Sequence, residues 1–397
     1  MKTKIFNVRM IDVAKRCALE NGTLVFDEGG IIYSSLQGDD CEDRADWEID
    51  GTGFTLLPGL IDCHVHLGMD ASPDPFQKIA TDSPADTAFR AVQQGKRFLE
   101  FGITTVRNVG TRYNVDISYR RAVESGMIEG PRVYASGQPI VMTGGHCHPM
   151  ASEADGVDEV RKAARTQLKA GADLLKLMAT GGVLTRGTEP GAAQLTEAEM
   201  RCACEEAARV QKTTAAHAIG LAGIKNAIRA GVSTIEHGSE LDDEAIQMML
   251  ERGTYLVPTL IAATLLLRQP PDSGVPEDFI RKAEQFVQTH RESFRKALRH
   301  GVKIAAGTDA GTPFNHPGYL ADELQLMHEE GMSTADAIYA ATLGAAECLN
   351  AADLIGSLER GKKADLLLVE GDPLMDLRSL KRVRKVFRDG RLLVDRR

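Results

Sequence analysis

Six side chains able to bind a cation or move a proton stand at or near the ends of short apolar runs: His64, His66, Lys176, His217, His237 and Asp309. The first two form an H-x-H pair. On an extended strand residues i and i+2 point to the same side, so both imidazoles can grip one ion. Imidazole nitrogens and carboxylate oxygens suit borderline cations such as zinc, with an open position left for water. A cation bound there lowers the pKa of its water towards neutrality and polarises a carbonyl, so these residue types point to hydrolysis. Asp309 is the natural general base, later protonating a leaving amine. A single histidine at a strand end is more often a hydrogen-bonded or surface residue, so His217 or His237 alone says little. Lys176, inside Leu174-Leu175-Lys176-Leu177-Met178, could equally mark a strand edge with its amine snorkelling outward, because a free ammonium repels metal.

Eight strand-like elements would bring these residues together. Apolar runs at 60–66, 104–108, 133–139, 174–178, 214–217, 233–237, 255–259 and 302–308 are interspersed with helix patterns at 85–101, 157–170, 197–212 and 279–300. This is the βαβα order of a parallel sheet covered by helices. Eight such units predict a (β/α)8 TIM barrel over 58–355, whose strands converge at their carboxyl ends on one mouth. All six residues fall at that mouth in this reading, four of them drawn from ten histidines, which chance does not readily supply. The two ends, 1–57 and 356–397, instead show short apolar runs separated by Gly/Asp turns, with Asp389-Gly390 reading as a hairpin. They are expected to meet in one small β-sandwich built from both ends of the chain.

A length of 397 residues suits one barrel of roughly 250 residues plus that accessory module. The net charge of −9 argues against a polyanion binder, which needs a basic face, so nucleic acid is not an expected partner. Seven cysteines without paired spacing read as reduced, buried small hydrophobes. The opening MKTKIFNVRMIDVAKR lacks a signal-peptide core, and no run of eighteen apolar residues follows. A cytoplasmic protein without a membrane partner is the expectation.

The motifs Leu57-Pro58-Gly59-Leu60-Ile61-Asp62-Cys63-His64-Val65-His66, Ala216-His217, Ile235-Glu236-His237-Gly238 and Gly307-Thr308-Asp309-Ala310-Gly311, with Lys176 and the closing stretch Gly356 to Leu366, together resemble the amidohydrolase superfamily. The resemblance spans the chain. It implies a binuclear centre of two divalent cations, zinc by ligand type with cobalt or manganese able to fill the same shell. In that pattern His64, His66 and Asp309 hold one metal and His217 and His237 the other, with Lys176 N-carboxylated as a bridge. A mononuclear centre is the alternative if Lys176 stays a free amine.

Met142-Thr143-Gly144-Gly145-His146-Cys147-His148-Pro149 and Ala179-Thr180-Gly181-Gly182-Val183 look like the branch holding prolidases, Xaa-Arg/Lys dipeptidases and imidazolonepropionase-like proteins. The implied reaction is hydrolysis of an amide next to a carboxylate, a dipeptidase with Xaa-Pro favoured. Hydrolysis of an N-acyl amino acid, cyclic amide or xenobiotic amide is the alternative, and a non-catalytic binding barrel a remote one. His146 is the candidate for steadying the substrate carbonyl oxygen, and His148 a second; loop packing would explain either equally well. Ile219 stands where some prolidases of the branch have tyrosine, and Asn108 where Asp is usual, so carboxylate recognition departs from the pattern. Arg186 could clamp a carboxylate bidentately or be a solvated loop charge. Homo-oligomerisation is a family-level expectation.

Overall fold

The computed structural model describes residues 1–37 and 44–396; Cys41 lies outside the described residues. The chain opens with β1 (Thr3–Asp12), β2 (Cys17–Asp27), β3 (Gly30–Ser34), β4 (Trp47–Asp50) and β5 (Phe54–Pro58). The order then becomes β6 (Leu60–Val65), α1 (Pro75–Thr81), α2 (Pro84–Glu100), β7 (Ile103–Asn108), α3 (Val115–Glu124), β8 (Arg132–Ala135), and the two-residue β9 (Ile140–Val141) and β10 (Ser152–Glu153). It continues with α4 (Gly156–Ala170), β11 (Leu174–Met178), α5 (Glu197–Arg209), β12 (Thr213–Ala218), α6 (Leu221–Ala230), β13 (Thr234–His237), α7 (Asp243–Arg252) and β14 (Tyr255–Val257). Helices α8 (Leu260–Leu267), α9 (Glu277–His300), α10 (Leu320–Glu329), α11 (Thr334–Ala340) and α12 (Leu343–Cys348) precede β15 (Leu366–Glu370), β16 (Val383–Arg388) and β17 (Arg391–Asp395).

The two chain ends do meet. Their eight strands form one sheet in the order β17-β16-β15-β5-β1-β2-β3, with β4 paired to β1, and β5 and β15 run antiparallel where the ends join. The sheet curls enough for Phe26 of β2 to meet Phe387 of β16 edge to face at 5.0 Å, although three strands separate β2 from β16. That curl encloses a separate small core including Ile5, Met10, Leu24, Leu56, Leu366 and Leu368.

The central part is a mixed α/β fold with parallel strands and its own large core. β6, β7 and β8 pair in parallel, as do β11, β12, β13 and β14. Strands such as β11 and β6 are buried at every position, as expected of strands covered on both sides. Local chemistry sets the boundaries: a Ser83/Asp86 capping box starts α2 and a Thr196/Glu199 box starts α5. Gly171 and Gly231 end α4 and α6 in the left-handed conformation, with φ of 104° and 94°, and turn the chain back into β11 and β13.

The third expected strand, 133–139, stops at Ala135, and the seventh, 255–259, at Val257. Residues 302–308 form no named strand. Backbone bonds nevertheless tie this segment on both sides: Leu256 N–H to Lys303 O, Ala305 N–H to Leu256 O, Cys63 N–H to Ala306 O and Asp309 N–H to His64 O. Asp173 N–H likewise reaches Ala135 O, linking the two groups of parallel strands. Four of the free cysteines are buried, Cys204 is half-buried and Cys17 is exposed in β2, a correction to the expectation of buried thiols. No helix of the described residues is long and apolar enough to cross a membrane.

Candidate active site

The parallel register brings the six residues together. Lys176 stands opposite Ala215, Met178 opposite His217, and Ala218 opposite His237, so adjacent strands deliver their polar side chains at similar heights. His64 lies in β6 and His66 just after it, while Asp309 follows the 302–308 segment. All six line one cavity, with His146, Ile219 and His290. His64 and His66 place Nε2 at 3.4 and 3.2 Å from Asp309 Oδ1. One ligating atom from each of these three residues lies within 4.8 Å of the others. The His64 and His237 rings are 5.1 Å apart, and those of His217 and His237 4.6 Å.

Each imidazole is oriented by a second bond. His64 Nδ1 meets Glu236 Oε2 at 2.7 Å, His66 Nδ1 meets Gly110 O at 3.2 Å, His217 Nε2 meets Gly181 O at 3.0 Å, and His237 Nδ1 meets Thr259 Oγ1 at 2.6 Å. These bonds leave Nε2 of His64, His66 and His237, and Nδ1 of His217, as the nitrogens able to coordinate a cation. His237 and Asp309 both adopt positive φ, 69° and 62°. Such conformations are strained for residues with a side chain and persist where the surroundings over-determine them.

The electrostatics favour neutral imidazoles at His146, His217 and His237. Burial, reinforced by nearby Lys176, pulls His217 down to about 3. Burial and the neighbouring His217 hold His146 and His237 well below the ordinary histidine value. Burial works against the Asp309 carboxylate, but His64 and His66 outweigh it and keep the group well below the usual range. Lys176 is 1% exposed, and its Nζ has no hydrogen-bond partner among the described residues. Burial lowers that amine to about 8. An ammonium there is costly to desolvate, so the neutral amine is favoured more than at an exposed lysine. Clustered imidazoles, a carboxylate and this orphaned amine fit a divalent-metal site.

The other expected contacts divide. His146 and Ile219 line the cavity. His148 is exposed and lines an adjoining outer depression with Arg186, whose side chain is 74% exposed and pairs with Asp74 at 3.5 Å. Neither His148 nor Arg186 lines the central cavity. Asn108 is a buried bracket: its Oδ1 accepts Leu67 N–H, and its Nδ2 donates to Thr111 and Asp116.

Sequence reasoning missed the supporting residues. Arg107, buried in β7, donates to both Glu236 oxygens at 2.8 and 2.9 Å and to Thr234 Oγ1 at 3.0 Å. Burial alone would raise the Glu236 carboxyl, yet Arg107 and His64 take it far below its ordinary value. Asp62 accepts His64 N–H, Thr308 N–H and the Thr308 hydroxyl, tying β6 to the segment that carries Asp309. The signal was present as opposite charges inside two strand-forming runs that are buried at every position, where burial must pair them.

A profile of the amidohydrolase family matches residues 55–393. The chain belongs to the amidohydrolase family. This amidohydrolase is accordingly a metal-dependent hydrolase acting on C–N bonds, and the non-catalytic reading falls. It is 34% identical over 369 residues to ochratoxinase of Aspergillus niger, covering 85% of this chain and 75% of the relative. Its structure is similar to that of a Xaa-Pro dipeptidase with bound methionine in its active site, at 36% identity, TM-score 0.91 and 99% coverage of both chains. A prolidase complexed with N-methylphosphonate-L-proline is similar at 31% identity, TM-score 0.92 and full coverage of both chains. The amidohydrolase thus has relatives of different named activities around one shared architecture.

Proposed function

We propose that this amidohydrolase cleaves an amide flanked by bulky apolar groups, releasing a C-terminal residue from an N-acylated substrate in preference to a dipeptide with a free amino terminus. The observation that carries this reading is the cavity lining. Beyond the histidines, Lys176 and Asp309, the wall consists mainly of apolar groups including Phe76, Val183, Leu184, Ile219, Leu266 and Phe286. Among the described residues a dipeptide ammonium would find no carboxylate there except Asp309, and desolvating a charge without a partner is costly. An apolar acyl group gains from the same wall.

In this reading the parallel strands and the 302–308 segment close as a (β/α)8 barrel over 58–355, with the curled terminal sheet as a sandwich-like domain of 1–57 and 356–397. His64, His66 and Asp309 would hold one cation, and His217 and His237 a second, with Lys176 carboxylated as their bridge. Two divalent cations so held, zinc by ligand type, supply Lewis acidity and an activated water. Asp309 takes the proton of the attacking water and returns it to the departing nitrogen. His146 steadies the substrate carbonyl oxygen as charge develops on it.

Xaa-Pro dipeptidase activity is the second reading, favoured by the similar Xaa-Pro dipeptidase and prolidase structures. An apolar Ile219 can also accept a pyrrolidine ring. Matched substrates separate the two: N-acetyl-Xaa-Phe and N-benzoyl-Phe against Xaa-Phe and Xaa-Pro with free amino termini. The proposal expects kcat/KM at least about 10-fold higher for the blocked members, about 1.4 kcal/mol. Equal or faster cleavage of free Xaa-Pro would replace it with the second reading.

A further inference from the structure

His146 is held by the loop that follows β11. The loop is closed at its base by the Thr180–Ala193 bridge and by Gly181 N–H donating to Ala192 O at 2.9 Å. Inside it, Thr185 is 3% exposed. Its Oγ1 accepts Cys147 N–H at 3.0 Å and lies 2.8 Å from His146 Nδ1. Thr185 is itself anchored through its carbonyl, which accepts the Thr188 hydroxyl at 3.1 Å and Lys282 Nζ at 2.9 Å. Lys282 comes from α9, is 1% exposed and pairs with Asp278 at 2.7 Å. The imidazole also lies flat against Gly182, where a Cβ would stand 2.3 Å from its Cε1. Backbone, helix and loop therefore agree on one ring position.

A threonine hydroxyl has one hydrogen and two lone pairs. The Cys147 N–H occupies one lone pair. If His146 Nδ1 also carried a proton, Thr185 would accept twice, and its own hydrogen would need a third partner in a buried site. If Nδ1 is bare, the hydroxyl hydrogen goes to it and every group in the bond pair is satisfied. The second arrangement leaves the proton of a neutral imidazole on Nε2, the opposite ring nitrogen. We propose that Thr185 is a positioning residue for amide cleavage, holding His146 as the Nε2–H tautomer so that His146 donates to the carbonyl oxygen of the scissile amide. This rests on the reading of His146 as a substrate contact. A donor is the form that can stabilise developing negative charge on oxygen, whereas a bare nitrogen would repel it.

The test uses the zinc-loaded enzyme with 15N-labelled histidine. A pyrrole-type shift is expected for His146 Nε2 and a pyridine-type shift for Nδ1, assigned by their loss in His146→Gln. Thr185→Val keeps the side-chain shape and removes the hydroxyl; it should lose that pattern and lower kcat at least about 10-fold with little change in KM. Thr185→Ser should restore both the shifts and the rate. Lys282→Met, which frees the Thr185 carbonyl without touching its hydroxyl, should broaden the His146 signals. A pyrrole-type Nδ1 in the wild type overturns the proposal, as does wild-type kcat in Thr185→Val. Wild-type kcat in His146→Gln would instead refute the substrate-contact reading beneath it, whatever tautomer the spectrum reports.

Discussion

Replacing Glu236 with glutamine tests the buried support beneath His64. The carboxylate accepts the Arg107 guanidinium on both oxygens, His64 Nδ1 on Oε2 and the Thr234 hydroxyl on Oε1. The Arg107 and Glu236 side chains are 2% and 0% exposed. An amide keeps the shape but turns one accepting edge into a donor. With its oxygen towards His64, the NH2 meets the guanidinium, and Arg107 becomes a buried cation without an anion. With the amide reversed, His64 Nδ1–H faces a donor. Breaking a buried pair from one side costs about 3–5 kcal/mol. Removing the acceptor that orients a ligating imidazole costs about 10- to 100-fold in metal affinity. The metal-free Glu236→Gln protein should therefore unfold at lower urea, and zinc competition against a chelating dye should show affinity reduced in that range. Arg107→Met combined with Glu236→Gln removes the orphaned charge; it should regain stability but not metal affinity. Zinc affinity in the single variant within about threefold of wild type, together with an unchanged urea midpoint, would refute the argument that this pair supports the site.

Asp309→Asn and His64→Ala should each lose metal or turnover while keeping the far-ultraviolet circular dichroism of the wild type, because both residues line the cavity; full activity in either would refute the assignment. Asp116 is pushed by burial up to about 6 despite accepting Asn108 Nδ2, Gly137 N–H and Ile117 N–H. Its folded value exceeds the ordinary 3.8, so the stability it contributes is present at low pH and is lost as pH rises through about 6. Urea unfolding of metal-free Asp116→Asn and wild type should then shift by up to about 3 kcal/mol in the variant's favour across that interval, and a pH-independent difference would contradict the assignment. Ile219→Tyr puts a hydroxyl into the apolar wall and should lower KM for substrates with a free carboxylate by about 10-fold, a typical gain for a hydrogen bond to a charged group; an unchanged KM would mean that the carboxylate binds elsewhere.

The sequence by itself determined the residue types and their placement at or near strand ends. The period of the apolar runs, the helix caps and the H-x-H spacing are local properties, and each is set by neighbours a few positions away. They were enough to read β6, β7, β11, β12 and β13 and the residues they carry, and the meeting of the two chain ends. Tertiary structure decided everything that depends on burial against distant residues. Residues 302–308 read as a strand by composition, yet they form one isolated bridge, Leu256–Ile304, and scattered backbone bonds to β14, β6 and α11. Arg107 and Glu236 are 129 positions apart, so only folding makes them a pair. Arg186 and His146 looked like comparable loop candidates, but one turns to solvent beside Asp74 while the other is fixed against Gly182 by Thr185. A local pattern specifies which groups are available; the burial and hydrogen-bond partners that select among them come from parts of the chain the pattern does not contain.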